Sequence, residues 1–171
     1  MGETLGANGS MSERGKAILR ALCAGLLLFS LPACGSDETS GDTTPTVAGV
    51  DADNDGVRDD IETYIDGTYS GGTAGPTRDA LRQYAKAVQA AMLDAGDQAR
   101  SVTHANERFR AIECLMARRP ADFPTVFSEL RAKILNSDVR SKAYLQADAQ
   151  VTATPIALLP ADQWPSTCVT P

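Results

Sequence analysis

Hydrophobic residues beyond position 59 recur every three or four places, the spacing that puts them on one face of an α-helix. The first such segment predicts a short helix over Asp59–Ile65, and the glycine-rich stretch at residues 69–76 interrupts the pattern. Thr77 is a suitable N-cap for a second helix. The apolar residues that share one face of this helix are Leu81, Tyr84, Val88 and Met92. We therefore expect its buried side to follow these positions.

A third helix is predicted between Gly96 and Pro120. Glycine commonly ends a helix, Asp97 can cap the next one, and proline cannot continue it. The predicted apolar face of this helix is formed by Val102, Ala105, Phe109, Ile112 and Met116. Cys114 lies nearly opposite that face on the helical wheel, so we expect it on the outer side of the helix.

The remaining periodic segments predict two further helices. Asp122 can cap the fourth, and Asn136-Ser137 marks the turn that follows it. The inward-facing residues of the fourth helix are Phe123, Val126, Phe127, Leu130 and Ile134. Residues 139–150 predict a weaker fifth helix that carries Tyr144.

The tail and the lack of strand patterns complete the predicted fold. Residues 152–171 contain four prolines and are expected to be extended. No segment shows a convincing alternation of apolar and polar residues, which a half-buried strand requires. We therefore predict a mainly α-helical domain of about four to five helices over residues 63–171.

The first 33 residues have the pattern of an export signal. Arg14, Lys16 and Arg20 precede a short apolar run over residues 21–31. Crossing a bilayer takes about 20 apolar residues, so this run fits the hydrophobic region of a secretory signal instead. Met11 is a candidate start of translation, because residues 1–10 add nothing to the signal.

The signal ends in Leu31-Pro32-Ala33-Cys34, which resembles the lipobox of bacterial lipoproteins, with Pro32 in place of the usual small or hydroxyl residue. The resemblance implies cleavage before Cys34 and a lipid on its sulfur that anchors the protein in the membrane. Gly35 stands where lipoproteins retained in the inner membrane usually carry Asp. This favours the outer membrane, with the domain facing the periplasm or the cell surface. The alternative is ordinary secretion with Cys34 unmodified.

Acidic residues are concentrated near the start of the predicted mature chain. The net charge of the protein is −6, and residues 35–62 hold nine acidic side chains against Arg58 alone. This charge argues against nucleic acid as a partner. Residues 34–50 are rich in Ser, Thr, Gly and Asp, and predict a flexible tether between the lipid and the domain.

Residues 51–62 match the calcium-loop pattern D-x-[DN]-x-[DN]-G-x5-E at every specified position. Alternate carboxylates suit Ca²⁺, which takes roughly six to eight oxygen ligands, and Gly56 permits the sharp turn. Magnesium fits less well because it needs a tight octahedron. The predicted ligands are the side chains of Asp51, Asp53, Asp55, Asp59 and Glu62 and the backbone carbonyl of Val57. The alternative is a solvated acidic turn.

The loop resembles an EF-hand and, more closely, the single loops of thrombospondin type 3 and similar extracellular calcium repeats. No entering helix is expected over residues 46–50, Arg58 replaces the usual aliphatic residue, and no second loop is found. We therefore expect a structural calcium site rather than a sensor. Together with the lipobox, the pattern resembles small uncharacterised envelope lipoproteins of proteobacteria, a group that implies no particular activity.

Two cysteines remain when the signal is removed and Cys34 is lipidated, because Cys23 leaves with the signal. Export places Cys114 and Cys168 in an oxidising compartment, where a disulfide between them is expected. The bridge would hold the tail across the outer face of the third helix. Two free thiols are the alternative, and no nearby histidine or further cysteine completes a tetrahedral metal site.

The other chemically active residues do not form a known catalytic pattern. His104 and Glu107 share a helical face, but no further ligand joins them, so we interpret His104 as an ordinary surface or capping residue. No serine or cysteine nucleophile motif and no phosphate-binding glycine loop is found. We expect a non-enzymatic, lipid-anchored calcium-binding module that binds an unidentified envelope protein or ligand. The alternatives are an envelope enzyme or enzyme accessory with an unrecognised site and, third, a calcium-responsive switch.

Overall fold

The computed structural model describes Asp42 and residues 44–169, so the predicted signal and Cys34 lie outside the described residues. Within this part of the chain there are helices and no strands, as predicted. The α-helices are α1 (Asp59–Thr68), α2 (Gly75–Leu93), α3 (Gln98–Arg118), α4 (Phe123–Ile134) and α5 (Asp138–Gln150). Short 3-10 helices lie at Gly72–Ala74 and Ala161–Thr167. None of the described helices is long and apolar enough to cross a bilayer.

Side-chain caps start two of the helices, one at Asp97 as predicted and one at Ser137, where the sequence predicted a turn. The Asp97 carboxylate accepts the backbone N–H three residues later at 3.0 Å, at the start of α3. The Ser137 hydroxyl does the same at 3.4 Å at the start of α5. Asp122 precedes α4 as predicted, but its carboxylate pairs with Arg119 and makes no capping hydrogen bond. An ion pair has therefore replaced the expected cap.

The central helix, α2, buries the predicted face. Leu81, Tyr84, Val88 and Met92 are all buried, and α2 contacts each of the other four α-helices. Its start differs from the prediction, because the helix begins before Thr77 and includes Pro76. Proline fits the first turn of a helix, where the leading N–H groups have no partner within the helix.

The buried face of α3 is turned away from the predicted one. Apart from Ala105, the predicted face is only partly buried. The buried residues of α3 are Ser101, Ala105, Arg108, Ala111, Glu113, Cys114 and Leu115. Arg108 can be buried because it stacks 5.0 Å from the centre of the Tyr144 ring and pairs with Asp148 at 2.6 Å. Three neighbours, namely α2, α5 and the 3-10 helix of the tail, pack against this helix.

The tail is not extended throughout, because Ala161–Thr167 forms a 3-10 helix that packs against α3. The Trp164 indole donates to the carbonyl of Leu159 at 2.8 Å. The Sγ atoms of Cys114 and Cys168 lie 2.06 Å apart, the separation of a disulfide. The expected pair is therefore present. Cys114 is nevertheless buried rather than on an open face, since the tail packs over this side of α3.

The segment before the loop also differs from the predicted free tether. Asp42 and residues 44–50, named here the strap, lie on the helical domain. Val47 packs against the hydrophobic core, and Gln89 of α2 donates to the backbone carbonyls of Val47 and Ala48 at 3.1 Å each. The polar composition of the strap predicted a free segment. Composition alone does not reveal that a distant helix supplies hydrogen bonds to its backbone. The folded domain therefore extends upstream of the calcium-loop motif.

Candidate metal centre

The calcium-loop motif occupies the turn between the strap and α1. The backbone is left-handed at Asn54, with φ of 60°, and at Gly56, with φ of 92°. Side-chain-bearing residues rarely adopt the φ of Gly56, and the Lys86 side chain lies 3.2 Å from where a Cβ would be. Glycine at this position therefore lets the loop turn sharply against α2.

Three of the predicted ligands converge in this loop. Asp51, Asp53 and Asp55 each offer a carboxylate oxygen, and these oxygens lie within 4.8 Å of one another. Backbone N–H groups orient all three carboxylates: Gly56 donates to Asp51 at 3.0 Å, Asp55 to Asp53 at 3.3 Å, and Val57 to Asp55 at 2.7 Å. The winding of the loop itself thus gathers the acidic cluster, and such a cluster can hold a metal ion.

One buried carboxylate oxygen of the cluster has no donor among the described residues. Asp51 Oδ1 is buried and accepts no hydrogen bond from the described residues, whereas Oδ2 of the same side chain accepts the N–H of Gly56. Leaving a buried polar group without a partner costs about 1–3 kcal/mol, and more when the group is charged. A cation among the carboxylates would remove this cost, so the residues fit a divalent ion that prefers oxygen.

The other predicted ligands lie beside the cluster. The Asp59 carboxylate folds back toward the start of the loop and accepts the N–H of Ala52 at 2.9 Å. Glu62, in the first turn of α1, pairs with Arg82 Nε at 3.4 Å. Val57 is held in place by its side chain, which is buried in the core. Asp59 and Glu62 are therefore near the cluster but occupied by other partners.

The charge of the cluster acts on Glu62. Partial burial and the nearby carboxylates of Asp55 and Asp53 raise the pKa of Glu62 above its ordinary value, against the opposite effect of Arg82. A cation held by the loop would oppose the part of this effect that comes from repulsion. Glu62 is therefore electrostatically coupled to the cluster although its carboxylate pairs with α2.

Two basic residues of α2 border the site and were not identified from the sequence. The Lys86 ammonium donates to the backbone carbonyl of Asp55. Arg82 pairs with Asp66 at 2.7 Å as well as with Glu62. Their spacing places Arg82 and Lys86 on one face of α2, but this spacing does not show which segment that face meets. The acidic loop therefore has basic neighbours that only the tertiary fold reveals.

His104 belongs to a separate ion-pair cluster. Its Nε2 lies 2.9 Å from Asp94, and its Nδ1 lies 2.8 Å from Glu107. Partial burial lowers the pKa of His104, but the hydrogen bonds with Glu107 and Asp94 outweigh burial and raise the pKa above its ordinary value. Both ring nitrogens are thus occupied by carboxylates. His104, interpreted from the sequence as an ordinary surface or capping residue, is thus part of an ion-pair cluster between α3 and Asp94.

A cavity of about 530 Å³ lies next to His104, between α2, α3 and the tail. Lys86, Glu107 and Arg110 also line it, so several titratable groups converge there, as an enzyme would require. Arg110 pairs with Glu113 at 2.9 Å, and Glu107 pairs with His104. These groups are committed to each other or to the loop, which does not favour the alternative of an enzyme over a binding module.

Comparisons with known proteins leave the function open. No protein-family model, no curated protein and no solved structure matches this chain. The interpretation of the site therefore depends on the geometry and the chemistry of its own residues.

Proposed function

We propose that this protein is a lipid-anchored calcium-binding module of the bacterial envelope, in which residues 51–62 hold one Ca²⁺. The observation that supports this most is the cluster of Asp51, Asp53 and Asp55, in which one buried carboxylate oxygen has no donor in the part of the chain that the structure describes. Mutual repulsion opposes such a cluster, and a cation would turn the repulsion into attraction. The anchor depends on the lipobox at Cys34 and is a prediction from the sequence.

Calcium suits the loop better than magnesium does. Ca²⁺ accepts roughly six to eight oxygens at about 2.3–2.6 Å in variable geometry, whereas Mg²⁺ demands a near-ideal octahedron at about 2.0–2.1 Å. In the proposed set the three clustered carboxylates are joined by the carbonyl of Val57 and by Asp59, directly or through water. Glu62 completes the set when it turns from Arg82 toward the loop. Arg82 then keeps its ion pair with Asp66.

The ion has a structural role in this proposal. The strap, and not a helix, leads into the loop, so the described residues provide no entering helix that calcium could open against α1. Bound calcium instead neutralises the carboxylates beside the first turn of α1 and fixes the start of that helix. The protein then acts without catalysis, by presenting its helical domain to an envelope protein or ligand.

Thermal unfolding with and without calcium tests this proposal. Because calcium would bind the folded state, saturating Ca²⁺ should raise the melting temperature of the purified protein above its value in EDTA. The double variant Asp55→Ala with Glu62→Gln should remove this difference. As a matched control, Asp162→Asn removes an exposed carboxylate of the tail, and this variant should keep the difference in melting temperature. Equal melting temperatures of the unaltered protein in calcium and in EDTA would refute the proposal.

A further inference from the structure

Arg58 belongs to the loop by sequence, but its side chain points into the helical domain. It is only 1% exposed. Its Nη1 donates to the carbonyl of Ile134 at 2.9 Å, at the C-terminal end of α4, and its Nε donates to Asp60 at 2.9 Å. A cation at this end of a helix also interacts favourably with the helix dipole. Arg58 therefore attaches the loop to the end of α4.

A second buried arginine attaches the strap at the same place. Nη2 of Arg140, on α5, pairs with the Asp42 carboxylate at 2.8 Å, and Nη1 donates to the Asp42 carbonyl, also at 2.8 Å. Asp60 connects the two arginines, because its carboxylate accepts Nη2 of Arg58 at 2.9 Å and the backbone N–H of Asp42 at 3.0 Å. Asp42, Arg58, Asp60 and Arg140 are named here the clasp.

The strap is continuous with both the clasp and the loop. The Val50 N–H donates to the Asp42 carboxylate at 3.0 Å, and the Val50 carbonyl accepts the N–H of Asp59 at 3.0 Å. Gly49 has a φ of 69°, and a Cβ there would collide with the Asp42 carboxylate and the Arg58 side chain. The strap therefore fits closely against the clasp. Its last residue, Val50, is held by the backbone of Asp59, a predicted calcium ligand.

We propose that the clasp couples calcium binding in the loop to docking of the strap, so that calcium determines whether the strap stays on the domain. This inference rests on the proposed calcium function and adds regulation to it. Ligands and clasp residues alternate along one short segment: Val57 and Asp59 belong to the predicted calcium set, and Arg58 and Asp60 belong to the clasp. The backbone of residues 57–60 must therefore adopt a conformation that suits calcium binding and the ion pairs of the clasp at the same time.

Electrostatics gives the direction of the coupling. Without a cation, repulsion among the loop carboxylates favours a looser loop, and movement of Arg58 or Asp60 breaks buried ion pairs. A buried charge that loses its partner is strongly unfavourable, so Asp42 and Arg140 then gain from separating into water. Calcium in the loop thus favours the docked strap. By thermodynamic linkage, the docked strap raises the affinity for calcium by the same factor.

The coupling has a consequence for a chain anchored at Cys34. With the strap docked, the sequence between Cys34 and the docked Asp42 comprises residues 35–41; with the strap released, the sequence between Cys34 and the loop comprises residues 35–50. Loss of calcium would therefore lengthen the connecting chain roughly twofold. A longer connection widens the range over which the domain meets its partners.

Hydrogen exchange in the unaltered protein tests the coupling without any substitution. The backbone amide of Asp42 donates to the Asp60 carboxylate, which lies on α1 and not on the strap, so release of the strap exposes this amide. Saturating Ca²⁺ should slow its exchange at least about tenfold relative to EDTA. The amide of Leu159, which donates to Glu113 in the tail attachment, is the internal control and should change little.

Substitutions remote from the predicted ligands test the reverse direction. Arg140→Gln and Asp42→Asn each break the clasp and leave every predicted ligand in place. Each should weaken calcium binding by about fivefold or more, the lower end of common coupling factors. Arg119→Gln, which removes an ion pair with Asp122 outside the clasp, should leave the calcium affinity unchanged.

The calcium function and the coupling can be refuted separately. If the unaltered protein takes up no calcium, the proposed function is wrong and the coupling is refuted with it. If the protein binds calcium, but the Asp42 amide exchanges equally with and without the ion and both clasp variants keep full affinity, the calcium function stands and the coupling is overturned.

Discussion

Two irregular segments are attached to the helical domain by different chemistry. On the N-terminal side, charges hold the strap and the loop through the clasp of Asp42, Arg58, Asp60 and Arg140. On the C-terminal side, the Cys114–Cys168 disulfide holds the tail. Charges respond to cations and to pH, whereas a disulfide is a covalent bond that is opened by reductants. The comparison separates an attachment that ions can alter from one that they leave in place.

The two attachments also transmit change differently. In the clasp each buried charge is tolerated only while its partners remain, so a displacement of one residue affects the others. A disulfide acts mainly by restricting the unfolded chain, and its loss leaves the other contacts of the tail in place. Coupling between distant parts of the chain is therefore expected on the N-terminal side.

Removal of the disulfide should have the largest effect on stability and no effect on calcium. Cys114→Ser with Cys168→Ser removes a link between positions 54 residues apart, which the chain-entropy model values at about 4 kcal/mol of unfolding free energy. Urea unfolding measures this loss. Calcium titration of the folded variant should give the affinity of the unaltered protein. A large fall in affinity would show that the two attachments are not separate.

A smaller effect, on calcium affinity, is expected for Arg82→Gln. The substitution frees Glu62 from its 3.4 Å ion pair and removes a positive charge from the border of the site. Because partly exposed ion pairs contribute up to about 1 kcal/mol, the affinity should rise about threefold to fivefold. Arg78→Gln is the matched control, since Arg78 pairs with Asp66 and not with Glu62. A weaker affinity for Arg82→Gln would mean that Arg82 supports the site.

The smallest effect is expected for His104, which lies in neither attachment. Its pKa is raised above 6.5, so its ion pairs stabilise the fold fully below that pH and lose this contribution as the pH rises through the raised pKa. His104→Gln should therefore lower the unfolding free energy by up to about 1 kcal/mol near pH 5, and by less near pH 9. Denaturant unfolding at both values checks this. An equal loss of unfolding free energy at pH 5 and pH 9 would mean that His104 stabilises the fold by packing and not by its ion pairs.

Features with local determinants were predictable from the sequence. The buried face of α2 follows from residues a few positions apart, and the caps at Asp97 and Ser137 act on the next turn of the chain. The convergence of Asp51, Asp53 and Asp55 is local in the same sense, because the spacing and Gly56 already determine the winding of the loop.

Apart from the disulfide, which the cysteine count predicted, features that depend on distant partners were not predictable. Arg140 binds Asp42 across 98 positions, and no local pattern indicates that pair. Arg108 is buried in α3 because a partner 40 positions later, Asp148, neutralises it, and this contributes to turning the buried face away from the apolar stripe. Arg58 was the one sequence signal of the clasp, because a charged residue occupies the position where calcium loops usually have an aliphatic residue.

Equilibrium dialysis against calcium, after removal of bound metal by chelation, tests the central claim most directly. The account predicts uptake of one Ca²⁺ per chain, weaker uptake of Mg²⁺, and no uptake by the double variant Asp55→Ala with Glu62→Gln. No uptake by the unaltered protein at millimolar calcium would contradict the account and reduce the loop to a solvated acidic turn.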